Sequence, residues 1–229
     1  MMNNNYRFVD FESMDELMRD RVLTQNLVLK YQQIFNDPTI WGEQYTFCDV
    51  MNNLHKQLSG NAALRLCISR EKYHQPVAFC WAQVLTQEEI VSNVENVQYY
   101  QSLGAPQVSE VIKSSMGDDK AIYLHDLGVS SECRGEVSLR QLILPTITQL
   151  ASRAAVNQVI YWSIHDTRIH RLAERAGHEL IAEVEGMQFF SGNLHKLVVE
   201  IQDNDARQHL PRIKTSFQSS LYSHGMLHG

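Results

Sequence analysis

The sequence predicts an α/β (α+β) fold on three observations. Apolar stretches of strand length recur along the chain, segments with helical spacing separate most of them, and the clear hairpin comes early while single helices link later strands. Hairpins join antiparallel strands and helical crossovers join parallel ones, so the expected sheet has an antiparallel start and a parallel middle.

YRFVDF (6–11) alternates as a short strand, and Ser13 followed by Glu16 is a capping-box signal for a helix running to about Phe35. Asn36, Asp37 and Pro38 stop it. A second helix is expected in TFCDVMNNLHKQL (46–58), where Val50, Leu54 and Leu58 share one face. ALRLCIS (63–69) and PVAFCWAQVL (76–85), joined by the polar REKYHQ, form the hairpin. The second of these strands is apolar on both faces and is therefore expected at the centre of the sheet.

Residues 87–119 are polar, with short helical patterns at Val91–Tyr100 and Val108–Ile112, and stand as an insertion and candidate lid. AIYLHDLGV (121–129) returns to strand, and LRQLILPTITQLASRAA (139–155) is a helix in which Pro145 is expected to cause a kink or a restart. QVIYWSI (158–164) is a buried strand, and RIHRLAERA (168–176) is a helix closed by Gly177. ELIAEVEGMQFF (179–190) and KLVVEI (196–201), with SGN as turn, are expected to finish the sheet. The core domain spans 1–202, and 203–229 is a polar tail.

Composition excludes several classes of function. A net charge of −6 and a pI near 5.9 lack the basic footprint of a protein that grips nucleic acid. No apolar run approaches the roughly 20 residues that cross a bilayer, and MMNNNYRF lacks the parts of a signal peptide, so a cytoplasmic location without membrane contact is expected. Cysteines at 48, 67, 80 and 133 form no CxxC pair, consistent with reduced thiols. None of the ten histidines lies in HExxH, and His165 and His170 are five apart, so no metal site is expected.

The chemistry-bearing stretch is LGVSSECRGEVSL (127–139), a strand end, a polar turn with one glycine, and a helix start. Backbone N–H groups and the helix dipole make such a junction receptive to anions; Gly135 permits close approach, and Arg134 can add a charge-assisted contact. VSSECRG (129–135) is similar to the V-x-P-x-Y-R-G that precedes the pyrophosphate loop of the GNAT superfamily of acyl-CoA-dependent N-acyltransferases. DTRIHRLAERAG (166–177) is similar to that family's N-x-x-A-x-x-L-Y-x-x-x-G. Together with the order of elements, the likeness covers about 6–86 and 120–202.

The resemblance implies a mixed, mostly antiparallel sheet of about seven strands with helices on both faces and the helical insertion between strands 3 and 4. It implies acetyl-CoA or another acyl-CoA as co-substrate, held by Leu127, Gly128, Val129, Arg134, Gly135, Glu136, Val137, Ser138 and Asp166. The family loop R/Q-x-x-G-x-G/A is altered here, because Val137 and Leu139 stand where small residues are expected and Glu136 adds negative charge.

Acyl transfer from a thioester needs an unprotonated amine, stabilisation of the oxyanion and often an acid for the leaving thiolate. The family places its base near the fourth strand, where His125 and Asp126 lie on opposite faces by simple alternation. The family's acid is the tyrosine of L-Y, but this chain has Leu172-Ala173; Tyr161, His165 and His170 are the substitutes, and Tyr99 and Tyr100 are expected to pack. The implied activity is acyl transfer to an amine of a small molecule or protein. The alternatives are an inactive binding or regulatory protein of the same fold, a transferase using a longer acyl thioester borne by a carrier protein, and an interaction module built on the insertion and tail. The resemblance also implies a possible homodimer.

Overall fold

The computed structural model describes residues 5–36, 44–72, 74–96, 105–117, 119–164, 167–184 and 187–209. Among the described residues seven strands form one sheet in the order β1-β2-β3-β4-β5-β7-β6, in which only β4 and β5 run parallel. The strands are β1 Tyr6–Phe11, β2 Ala62–Ser69, β3 Pro76–Thr86, β4 Lys120–Val129, β5 Gln158–Ile164, β6 Glu179–Val184 and β7 Met187–Asn193. Between β1 and β2 lie α1 Met14–Met18, α2 Arg21–Phe35 and α3 Phe47–Gln57; α4 Gln87–Asn96 and α5 Ala105–Ser115 lie between β3 and β4. A 3-10 turn, Ser131–Cys133, then leads to α6 Leu139–Ala154, α7 Arg168–Ala176 and α8 Leu194–His209.

Alternation along β3 sends Ala78, Cys80 and Ala82 to one face and Phe79 and Trp81 to the other, and all five are buried. On the first face α6, α7 and α8 pack through Leu142, Ile147, Leu172 and Leu197. On the second, α1–α3 cover the β1–β3 side and α4–α5 cover the β4–β6 side. Ile90, Val94, Val108 and Ile112 of the insertion are buried against Tyr123, Ile160 and Phe189. It is therefore a structural layer where a lid was expected, because its few apolar residues fall on the helix faces that meet the sheet.

Three further expectations are corrected. The first helix divides at Arg19-Asp20, where the Asp20 side chain accepts from Leu23 N–H and starts α2 afresh. The segment 179–190 is two antiparallel strands, with SGN as the end of β7. KLVVEI (196–201) is helical: Asn193 caps Lys196 N–H, and Leu194, Leu197 and Ile201 share the buried face. The paired valines there favour strand locally, but the helical spacing of the three buried residues wins. The tail beyond His209 lies outside the described residues.

Pro145 sits inside one unbroken α6. Its missing N–H leaves the Gln141 carbonyl without its i+4 donor, and Arg65 supplies one through Nε at 2.6 Å. The same guanidinium pairs with Asp10 at 2.6 Å, so an edge-strand carboxylate, a β2 arginine and the proline-interrupted helix are tied together.

Candidate active site

β4 and β5 are paired only at Ile122–Val159, Tyr123–Ile160 and Leu124–Tyr161. Beyond Leu124 the strands part. The cause is visible on the other edge of β4, where Leu124 pairs with Ala82 and Asp126 with Trp81, leaving His125 as an extra residue. Such a bulge bends its strand and increases local twist. The opening is a cleft of about 160 Å³ at the parting strands, lined by Leu124–Leu127 of β4, Tyr161–Ile164 of β5, Phe35 on one face, and Ile143, Leu172 and Leu197 on the other. The indole of Trp162 donates to the His125 carbonyl at 3.1 Å, a side-chain bond across the gap where the ladder has ended.

The bulge overturns the expected placement of His125 and Asp126 on opposite faces. Asp126 shares the face of its partner Trp81, and His125, one step past Leu124, is on that face too. His125 is 5% exposed, stacks edge-on to Tyr123, and approaches Gln83 Oε1 through Nε2 at 3.2 Å. Gln83 Nε2 donates to the Ser59 carbonyl at 2.7 Å, which turns the Gln83 oxygen toward the histidine. Nε2 of His125 therefore carries the hydrogen and Nδ1 keeps the lone pair. Burial, helped by the Lys56 charge, pushes the His125 pKa down to about 3, so the ring is neutral near pH 7. Tyr123 is raised above its ordinary value by burial and by the Asp126 charge.

Tyr161 lines the same cleft with its ring, while its hydroxyl is 2.8 Å from Nδ1 of His178. His178 Nε2 faces the Asn193 carbonyl at 3.1 Å and must donate, so Nδ1 accepts the phenolic hydrogen. Burial lowers the His178 pKa and raises that of Tyr161, keeping both groups neutral. Asn193 pairs with Gln158 at the start of β5, away from the cleft at its end, so the hydroxyl is held toward the far end of the strand. His170 on α7 is buried against Phe190 and lies 3.5 Å from Glu174.

After β4 the turn closes largely on itself. Glu136 and Val137 N–H both donate to the Cys133 carbonyl, at 3.1 and 3.4 Å. Ser138 and Gln141 form a reciprocal capping box, which uses the N–H groups of both. Val137 is buried in the core, Gly135 takes φ +97°, which an L side chain resists, and Arg134 is exposed. The Glu136 carboxylate accepts from Tyr6 of β1 at 2.6 Å, and Glu132 lies 3.6 Å from Lys30 of α2. Hydrogen bonds to its own backbone, with Lys30 adding, lower the Glu132 pKa and hold it ionised. Gly128 meets the Phe79 ring, which an added Cβ would strike at 2.4 Å, so this strand position is reserved for packing.

The structure thus gathers His125, Asp126, Leu127 and the Tyr161 ring at one cleft, keeps Val129 as the last residue of β4, and puts Arg134–Ser138 in the turn that follows. His165, Asp166, Tyr99 and Tyr100 lie outside the described residues. Sequence reasoning missed Gln83, Trp162 and His178. A polar Gln83 within the apolar PVAFCWAQVL was a readable signal, since a buried amide needs partners; the other two were hidden among ordinary core residues. Among the described residues no group of three His, Cys, Asp or Glu can hold a metal, and no helix is long and apolar enough to cross a membrane.

No family model and no curated protein matches the sequence. Solved structures do match. An agmatine N-acetyltransferase variant in its apo form is 15% identical with a TM-score of 0.54, over 82% of this chain and 100% of that one. An uncharacterized Bacillus halodurans protein is 11% identical with a TM-score of 0.54, over 89% and 92%. A Drosophila melanogaster polyamine N-acetyltransferase is 15% identical with a TM-score of 0.50, over 82% and 100%. The chain shares its fold with these two N-acetyltransferases.

Proposed function

We propose that the protein is an N-acyltransferase that moves an acyl group from a pantetheine thioester, with acyl-CoA as the donor to test first, to an amine. The observation that carries this is the bulged, parted β4/β5 junction with a neutral histidine at the bulge. An extended thioester arm fits an apolar cleft between two strands whose edges no longer serve one another. Backbone N–H groups of the β4 edge beyond Leu124 are the donors suited to the oxyanion.

The amine attacks the thioester carbonyl, the C–N bond forms and the C–S bond breaks to release thiolate. His125 accepts the proton lost by nitrogen at Nδ1, while Gln83 and Ser59 hold the tautomer that makes this possible. Because burial keeps its pKa low, His125 is a permanently available but weak base, so the amine must arrive unprotonated. The rate then follows the free-amine fraction and shows no break near pH 6.5, the usual histidine range. Tyr161 shapes the floor of the cleft, its hydroxyl being held by His178.

The test is thiol release from acetyl-CoA with a panel of amines that includes agmatine, a polyamine and short peptides, together with calorimetric titration of CoA. Binding and amine-dependent thiol release are expected. No heat and no thermal shift at millimolar CoA would remove the proposal.

A further inference from the structure

We infer that the donor site recognises the pantetheine arm of the thioester and gives little grip to the nucleotide diphosphate that follows it in CoA. This deepens, and rests on, the acyl-transfer function proposed above. It sets two adjoining regions against each other. The cleft is apolar and open, with Leu127, Ile143, Ile164 and Leu172 available to cover a chain of methylene and amide groups. The turn is engaged elsewhere.

A loop that grips a diphosphate must turn several N–H groups outward and supply positive charge. Here Glu136 and Val137 N–H point to the Cys133 carbonyl, and the Ser138–Gln141 box uses two more at the helix start. Val137 roots the turn in the core, so turning those amides outward would expose a buried side chain. Charge is unhelpful as well: ionised Glu132 stands beside Lys30, Glu136 is fixed by Tyr6, and exposed Arg134 lies between these two acids in sequence. The donor class this favours is an acyl thioester on a pantetheine arm, whether the far end of that arm is a nucleotide or a protein serine.

The experiment titrates the full chain with CoA, with pantetheine and with a phosphopantetheine-bearing carrier protein, at low and high salt. The expected result is CoA and pantetheine affinities within about threefold of each other, since few charge-assisted contacts reach the phosphates. Raising salt from 20 to 500 mM, roughly a fivefold change in screening length, should leave the CoA affinity almost unmoved. A carrier that binds at least as well as pantetheine names the protein-linked source; a carrier that is excluded names the free thioester, and the inference stands in both cases. CoA tighter than pantetheine by about 100-fold, the worth of two charge-assisted hydrogen bonds, overturns it while leaving acyl transfer intact. Failure of CoA, pantetheine and carrier alike removes the acyl-transfer proposal itself.

Discussion

The cleft between β4 and β5 and the turn that follows β4 are neighbours in sequence and opposites in bonding. In the cleft a one-residue bulge at His125 ends the ladder and leaves two strand edges apart. In the turn, amide after amide finds a partner within a few residues, and two acidic side chains are tied to β1 and α2. A region built to receive a ligand keeps hydrogen-bonding capacity unspent, whereas a region built for stability spends it. Under the proposed function, the contrast assigns recognition to the parted strands and leaves the turn to start α6.

The largest expected effect comes from the base. His125→Gln should lower amine-dependent thiol release by about 100-fold with the CoA affinity unchanged, the usual loss for a general base. A rate within a few-fold of the original would remove His125 from the chemistry. Next is the cleft itself: Leu127→Trp fills it and should weaken pantetheine and CoA together by at least about tenfold, as expected when an arm loses its apolar walls. Loss of CoA binding alone would break the contrast between the two regions.

A third prediction concerns pH and stability. The folded-state pKa of His125 is depressed to about 3, so below about pH 6.5 the unfolded chain takes up a proton that the folded chain refuses. Stability therefore falls as pH drops from about 6.5 toward 3, by about 1 kcal/mol per pH unit from this group. His178 shifts in the same direction. Chemical denaturation at pH 7 and pH 4.5 should show a smaller loss for His125→Gln than for the parent; equal losses would mean that the buried ring takes up its proton normally. The smallest effect belongs to the turn, where Arg134→Ala should weaken CoA by only about twofold because its guanidinium remains exposed and screened. A loss beyond tenfold would restore the turn as a phosphate grip.

The order of elements was legible because it depends on local rules. Apolar runs around a polar link marked β2 and β3, the Ser13–Glu16 pair announced the start of α1, and Gly177 ended α7 in the left-handed conformation that glycine favours. The failures had local causes as well. Val198 and Val199 favoured a strand where Asn193 and the spacing of Leu194, Leu197 and Ile201 impose α8, and the break at Asp20 was lost within one long apolar pattern.

Sequence by itself determined the fold class, the place of the turn and the short list of side chains near the fourth strand, since periodicity, caps and residue type are properties of neighbouring residues. Tertiary structure alone decided what those side chains do. A bulge is defined only by the register of two strands, and it moved His125 to the face of Asp126 and opened the cleft. The tautomer of His125 is set by an amide 42 positions away and the hydroxyl of Tyr161 by a histidine 17 positions away. The turn's carboxylate is held from β1, 130 residues back in the chain. Hydrogen bonds between distant segments leave no periodic trace in a sequence, and they determine which groups at this site are available to a ligand.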